Sequence, residues 1–170
     1  MERSELIKLI DWDVVMKASR SAGGHTDIMQ KVFFTTSSVI LASWVENDYQ
    51  GSEVFAYLFK DGYVVIIQDS FGSCSGCDSW EGASDQDAKS LITTLVDSAK
   101  IFKNISEAIS YIENPDSSDY YSQYLVNIKK NLEKYNKMYI KIVLEEAPLY
   151  INDKDDIVKF MSNMVLGVIK

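Results

Sequence analysis

Val54-Phe55-Ala56-Tyr57-Leu58-Phe59-Lys60-Asp61-Gly62-Tyr63-Val64-Val65-Ile66-Ile67-Gln68-Asp69 is the stretch on which the fold turns. Two runs dense in β-branched and aromatic residues flank Lys60-Asp61-Gly62, a turn signal, so the stretch reads as a hairpin. Val54 to Phe59 leads into Tyr63 to Gln68. Val64 to Ile67 is continuously apolar, which predicts a central strand covered on both faces. Upstream, Val32 to Val45 has the same composition and reads as one long strand or two short ones. Together these predict an antiparallel meander of three or four strands.

Outward from the hairpin the period changes. Leu6, Ile7, Ile10, Val14 and Val15 recur at three and four residues, predicting a helix from about Ser4 to Ala18 that Gly23-Gly24 closes. Downstream, Ser84 with Asp87 three residues on is a capping pair for a helix burying Ala88, Leu91, Ile92, Leu95, Val96 and Ala99. Lys100 to Lys103 reads as a short edge strand. Ser106 is the expected cap of a helix over Glu107 to Glu113, stopped at Asn114-Pro115. Tyr121, Tyr124, Leu125, Ile128, Leu132, Tyr135, Tyr139 and Ile142 then keep a single helical face. Met138 to Leu144 also alternates like a strand, so the end of that helix is open between two readings. A last amphipathic helix would carry Ile157 to Val168 behind Asn152 or Asp153. The class is α+β: an antiparallel three- to four-stranded sheet packed by helices in residues 1–114, with residues 115–170 as a helical extension on the same core.

The 170 residues hold 25 acidic and 17 basic side chains, a formal net charge of −8. That balance excludes a general nucleic-acid clamp, which needs a cationic surface to displace counterions from phosphates. The excess is regional. Glu46, Asp48, Glu53, Asp61, Asp69, Asp78, Glu81, Asp85 and Asp87 stand against Lys60 alone between Trp44 and Asp87. Lys129, Lys130, Lys134, Lys137 and Lys141 stand against Glu133 in the late helix, and Lys130, Lys134, Lys137 and Lys141 share a face opposite the apolar stripe. A solvated, solubilising surface explains each cluster simply. The functional reading is complementary docking: Glu46, Asp48, Glu53, Asp78 and Glu81 toward a basic protein partner, the lysine face toward an acidic one, or the two between copies in a homodimer. No membrane role is expected, because the longest uncharged stretch, Val32 to Val45, is interrupted by Thr35, Thr36, Ser37, Ser38 and Ser43. Charges at Glu2, Glu5, Asp11 and Asp13 are unlike a signal peptide and suggest a cytoplasmic protein.

Phe71-Gly72-Ser73-Cys74-Ser75-Gly76-Cys77-Asp78-Ser79-Trp80-Glu81-Gly82 is the least generic passage. Cys74 and Cys77 supply half of a tetrahedral zinc site, which His25, Asp78 or a second copy would have to complete. A dithiol redox site is disfavoured by the acidic neighbours Asp78 and Glu81, which raise a thiol pKa, and by the start of the next helix seven residues beyond Cys77. Packing or a local disulfide beneath an anchoring Trp80 needs nothing further. Nucleophilic catalysis has only His25 as a base, and Asp69 with Asp87-Ala88-Lys89 echoes a metal-dependent nuclease only faintly, since acids are expected in a helical first turn. The expectation is a non-enzymatic, acidic interaction or regulatory module without a required cofactor. A zinc or dithiol protein using Cys74 and Cys77 is the alternative.

The succession Asp48-Tyr49-Gln50-Gly51, a hairpin turning at Asp61-Gly62, Phe71 to Trp80, a helix and a helical ending from Phe102 to Glu113 is similar to small uncharacterised α+β proteins of prokaryotes and their viruses. The likeness covers about residues 47–114. It implies that strand, loop and helix form one unit, and it carries no activity.

Overall fold

β2 (Gly51–Phe59) is buried along its whole length, at all nine residues. Around it a computed structural model of the chain describes residues 1–19, 29, 38–46, 51–59, 61–72, 80, 83–115 and 122–141. In chain order these form α1 (Arg3–Leu6), a 3-10 turn (Ile7–Leu9), α2 (Trp12–Ser19), β1 (Ser38–Val45), β2, β3 (Val64–Phe71), α3 (Asp85–Ser98), β4 (Lys100–Phe102), α4 (Ile105–Glu113) and α5 (Ser122–Lys141). The strands make one sheet in the order β1-β2-β3-β4. Every neighbouring pair is antiparallel, so the class is α+β.

The β2–β3 turn sets the register. Phe59 N–H donates to the Tyr63 carbonyl and Gly62 N–H to the Phe59 carbonyl, both at 2.9 Å. Tyr63 N–H donates to Asp61 Oδ1 at 3.3 Å. Gly62 has φ +89°, a left-handed conformation in which a side chain is strained, so glycine is required there. From this turn Leu58 pairs with Val64 and Gly51 with Phe71. β1 runs from Ser38 opposite Phe59 to Val45 opposite Glu53, with a register shift between Ile40 and Ala42.

Because side chains alternate along a strand, β2 feeds two cores. Phe55, Tyr57 and Phe59, with Val65 and Ile67 of β3, pack against Leu6, Ile10, Val15, Ala88, Ile92 and Val96 of the N-terminal helices and α3. Val54, Ala56 and Leu58, with Val64 and Ile66, pack against Ile105, Ala108 and Ile112 of α4 and Leu125, Ile128 and Leu132 of α5. The sheet is therefore the middle of three layers. The three α5 side chains are fully buried. Burial of each contributes about 1.5–3 kcal/mol of transfer free energy.

Several expectations change. The N-terminal helix is two helices, because Asp11 Oδ1 accepts from Val14 N–H at 3.1 Å and Ile10 is extended, with ψ 128°. A side-chain cap at Asp11 starts α2 afresh instead of letting α1 run on. Asn104, not Ser106, caps α4: its Oδ1 accepts from Glu107 N–H at 2.9 Å. Met138 to Lys141 continue α5 as helix, which decides against a strand beginning at Met138. The edge strand is Lys100–Phe102, as its composition indicates, and Ser84 caps α3 with Asp87 as expected. Residues 32–37, Gly23-Gly24, residues 73–79 and 81–82 of the cysteine loop, and residues 157–168 lie outside the described residues.

Candidate functional site

α5 presents two kinds of lysine. Lys129 Nζ lies 3.0 Å from Glu113 Oε1 of α4 and 3.6 Å from Glu133 Oε1 one turn on, tying α5 to α4. The hydrogen bond to Glu113, above all, holds the Lys129 ammonium above its ordinary pKa. Lys130, Lys134 and Lys137 are exposed, and none makes an ion pair among the described residues. Lys134 Nζ stands 5.8 Å from the centre of the Tyr135 ring. Lys141 ends the helix, and its side chain lies outside the described residues. At about 1.5 Å rise per residue, Lys130 to Lys137 spans about 10 Å of helix. Val126, 62% exposed, lies one turn before this row and is the one large apolar side chain so exposed among the described residues.

The apolar period that buries Leu125, Ile128 and Leu132 forces this arrangement, since a helix burying one stripe turns the opposite one to water. Four methylenes let each ammonium extend from the helix, and unpaired cations at that spacing are suited to a row of carboxylates or another polyanion.

The acidic set behaves differently. Glu53 is fully buried in β2 and leaves the proposed acidic face. Its position on β2 puts it on the side of Phe55 and Tyr57, directly across from Asp69 of β3. Glu46 follows β1, is half-buried, and its N–H donates to the Ser52 carbonyl at 3.0 Å. Asp48, Asp78 and Glu81 lie outside the described residues, as do Cys74 and Cys77. Asp69 accepts from Trp80 Nε1 at 3.4 Å and from Ser70 N–H at 2.9 Å. Trp80 thus reaches the sheet as an anchor, 6% exposed. Tyr57 donates its hydroxyl to the Met29 carbonyl at 2.9 Å. Burial, and then the Glu53 charge, push its pKa well above the ordinary value.

The Asp87-x-Lys89 echo resolves into a helix cap. Asp87 Oδ2 accepts from the Ser84 hydroxyl at 2.6 Å and from Ser84 N–H at 3.0 Å, which holds its carboxyl below the usual range. Among the described residues no three His, Cys, Asp or Glu side chains come together to hold a metal ion. No helix of the described residues is long and apolar enough to cross a membrane. The Glu53–Asp69 cross-strand pair is what the sequence reading missed. Its signal was the period of two that places Glu53, Phe55 and Tyr57 on one face.

No protein-family model, curated protein or solved structure matches the chain.

Proposed function

We propose that this chain is a non-enzymatic interaction module that docks on a larger protein partner, with α5 presenting its lysine face to an acidic surface. The observation that carries the reading is the contrast within one helix. Lys129 is committed to Glu113 and Glu133, whereas Lys130, Lys134 and Lys137 project into water with their charges unmatched among the described residues. Like charges one turn apart destabilise a helix slightly, so a partner of opposite charge relieves a cost present in the free protein. A row of cations also accelerates encounter with an acidic surface, and salt screens that acceleration.

The test begins with a partner recovered in stoichiometric amount from native extract, followed by measurement of its association kinetics. Reversal of Lys130, Lys134 and Lys137 to Glu is a surface change and leaves folding stability within about 1 kcal/mol. It lowers the association rate at least tenfold at low salt. The unchanged protein loses most of that rate between low and physiological ionic strength. A salt-independent rate, or a triple variant that associates normally, removes the reading.

A further inference from the structure

Among the described residues β4 is the last strand of the sheet, and a groove runs along its open side between the start of α1 on one face and α4 on the other. It consists of two adjoining hollows of about 530 and 560 Å³ that share Ile101, Phe102 and Tyr111. Arg3 lines the first hollow, Lys103 the second. Phe102 and Tyr111 form one wall, their rings 5.3 Å apart. The acids on the rim are engaged in caps: Glu107 accepts from Lys103 N–H, and Glu2 pairs reciprocally with Glu5 at the start of α1.

The phase of the ladder shows which main-chain groups face this groove. Phe59 N–H donates to the Tyr63 carbonyl, and hydrogen-bonded pairs alternate along an antiparallel ladder. Tyr57 and Val65 are then in the same phase, so the Val65 amide and carbonyl point to β2. Glu46 N–H donating to the Ser52 carbonyl fits that phase on the β1 side. Toward β4 the bonds fall at Val64 and Ile66, opposite Phe102 and Lys100. The N–H and C=O of Ile101 therefore turn outward. Their neighbours on the same side are already used: Arg3 Nη2 donates to the Ala99 carbonyl at 3.4 Å, and Lys103 N–H is held by Glu107. Among the described residues one residue of open edge remains, with an apolar wall on one side and cations at either end.

We infer that this groove takes a short extended peptide segment from a partner, added beside β4 as a fifth strand and registered on Ile101. Successive side chains of such a segment alternate between the two walls. Acidic side chains fall toward Arg3 and Lys103, and apolar ones toward the Phe102–Tyr111 pair. The segment is thus one that alternates apolar and acidic residues. The surface is separate from the lysine face of α5 and does not depend on it.

The probe is the peptide acetyl-Thr-Phe-Glu-Leu-Glu-Thr-amide, titrated into the full chain and followed by backbone amide resonances. Saturable shifts are expected at Ile101 and at the first residues of α1, with none along the solvent face of α5. At saturation the Ile101 amide exchanges with solvent at least tenfold more slowly. The amides of Lys100 and Phe102, already bonded to β3, change little. A peptide with lysine in place of both glutamates binds at least fivefold more weakly, as does the acidic peptide to the exposed-surface variant Arg3→Glu/Lys103→Glu. Equal binding of the two peptides, shifts mapping elsewhere, or unchanged Ile101 exchange overturns the assignment. Groove resonances that move with the protein's own concentration and not with peptide also overturn it, in favour of pairing between copies.

Discussion

Glu53, Phe55, Tyr57 and Phe59 of β2 face α1, α2 and α3, whereas Val54, Ala56 and Leu58 face α4 and α5. On the first face the sheet supplies the bulk, in three rings, and Phe55 and Tyr57 stack with centroids 6.0 Å apart. The helices covering them include pieces of four and eight residues. That face also buries a hydroxyl and a carboxylate. On the second face the β2 side chains are aliphatic, without a ring, and much of the bulk set against them comes from Leu125, Ile128 and Leu132 of a 20-residue helix. A core built on rings with buried polar groups depends on each group keeping its partner. A core built on one long helix depends on volume, and leaves the outer side of that helix available for charge.

Truncation separates the two most sharply. Phe55→Ala removes a fully buried ring from the first face, and about 3–5 kcal/mol of unfolding free energy goes with it. Ile128→Ala on the second face costs about 2–4 kcal/mol. Urea unfolding of both variants checks the order. A larger loss at Ile128 than at Phe55 would reverse the view that the rings bear most of the packing.

Tyr57→Phe tests the buried polar groups without changing volume. It removes the donor to the Met29 carbonyl, and leaving a buried acceptor unmatched costs about 1–3 kcal/mol. The alkaline limb carries a further signature. The folded pKa of Tyr57 lies above its unfolded value near 10.0, so its contribution is complete below pH 10 and is lost as pH rises toward the folded value. The unchanged protein therefore loses stability above pH 10 in a way the variant does not, and the gap between them narrows there. A gap that stays constant to pH 11 would mean that Tyr57 is not protected from ionisation.

The sequence showed the second face more fully than the first. The spacing of Leu125, Ile128 and Leu132 is a helical period that no polar residue interrupts, and Asp61-Gly62 names its own turn. Glu53 defeats the same kind of reading, because an acidic residue in a strand is expected in water and only its neighbours in space make it buried. Asp11 hides the break between α1 and α2, since it sits between apolar positions that continue the period across it. The lysine face was legible as a face. Which of its lysines are already committed was not, because Glu113 belongs to another helix, 16 positions away from Lys129.

Caps give the smallest test, one on each face. Ser84 starts α3 over the first core, and Asn104 starts α4 over the second. Replacing either with Ala leaves a first-turn N–H without its side-chain acceptor, at about 1 kcal/mol near neutral pH. Ser106→Ala, at the position that composition alone favours for the α4 cap, costs less than Asn104→Ala. The two caps then part in acid. Asp87 is bonded to the Ser84 hydroxyl and amide, and its carboxyl titrates below the ordinary 3.8. A carboxyl depressed on folding contributes stability above its unfolded pKa and loses it as pH falls through the folded value. The Ser84→Ala deficit therefore shrinks below about pH 4, as the unchanged protein gives up the same contact. Asn104 has no titrating group and accepts from the Glu107 backbone amide, so its deficit shows no such change across the same range. Thermal unfolding of the two variants between pH 2.5 and 7 reads both curves. Parallel curves would show that Asp87 and Ser84 contribute to α3 independently.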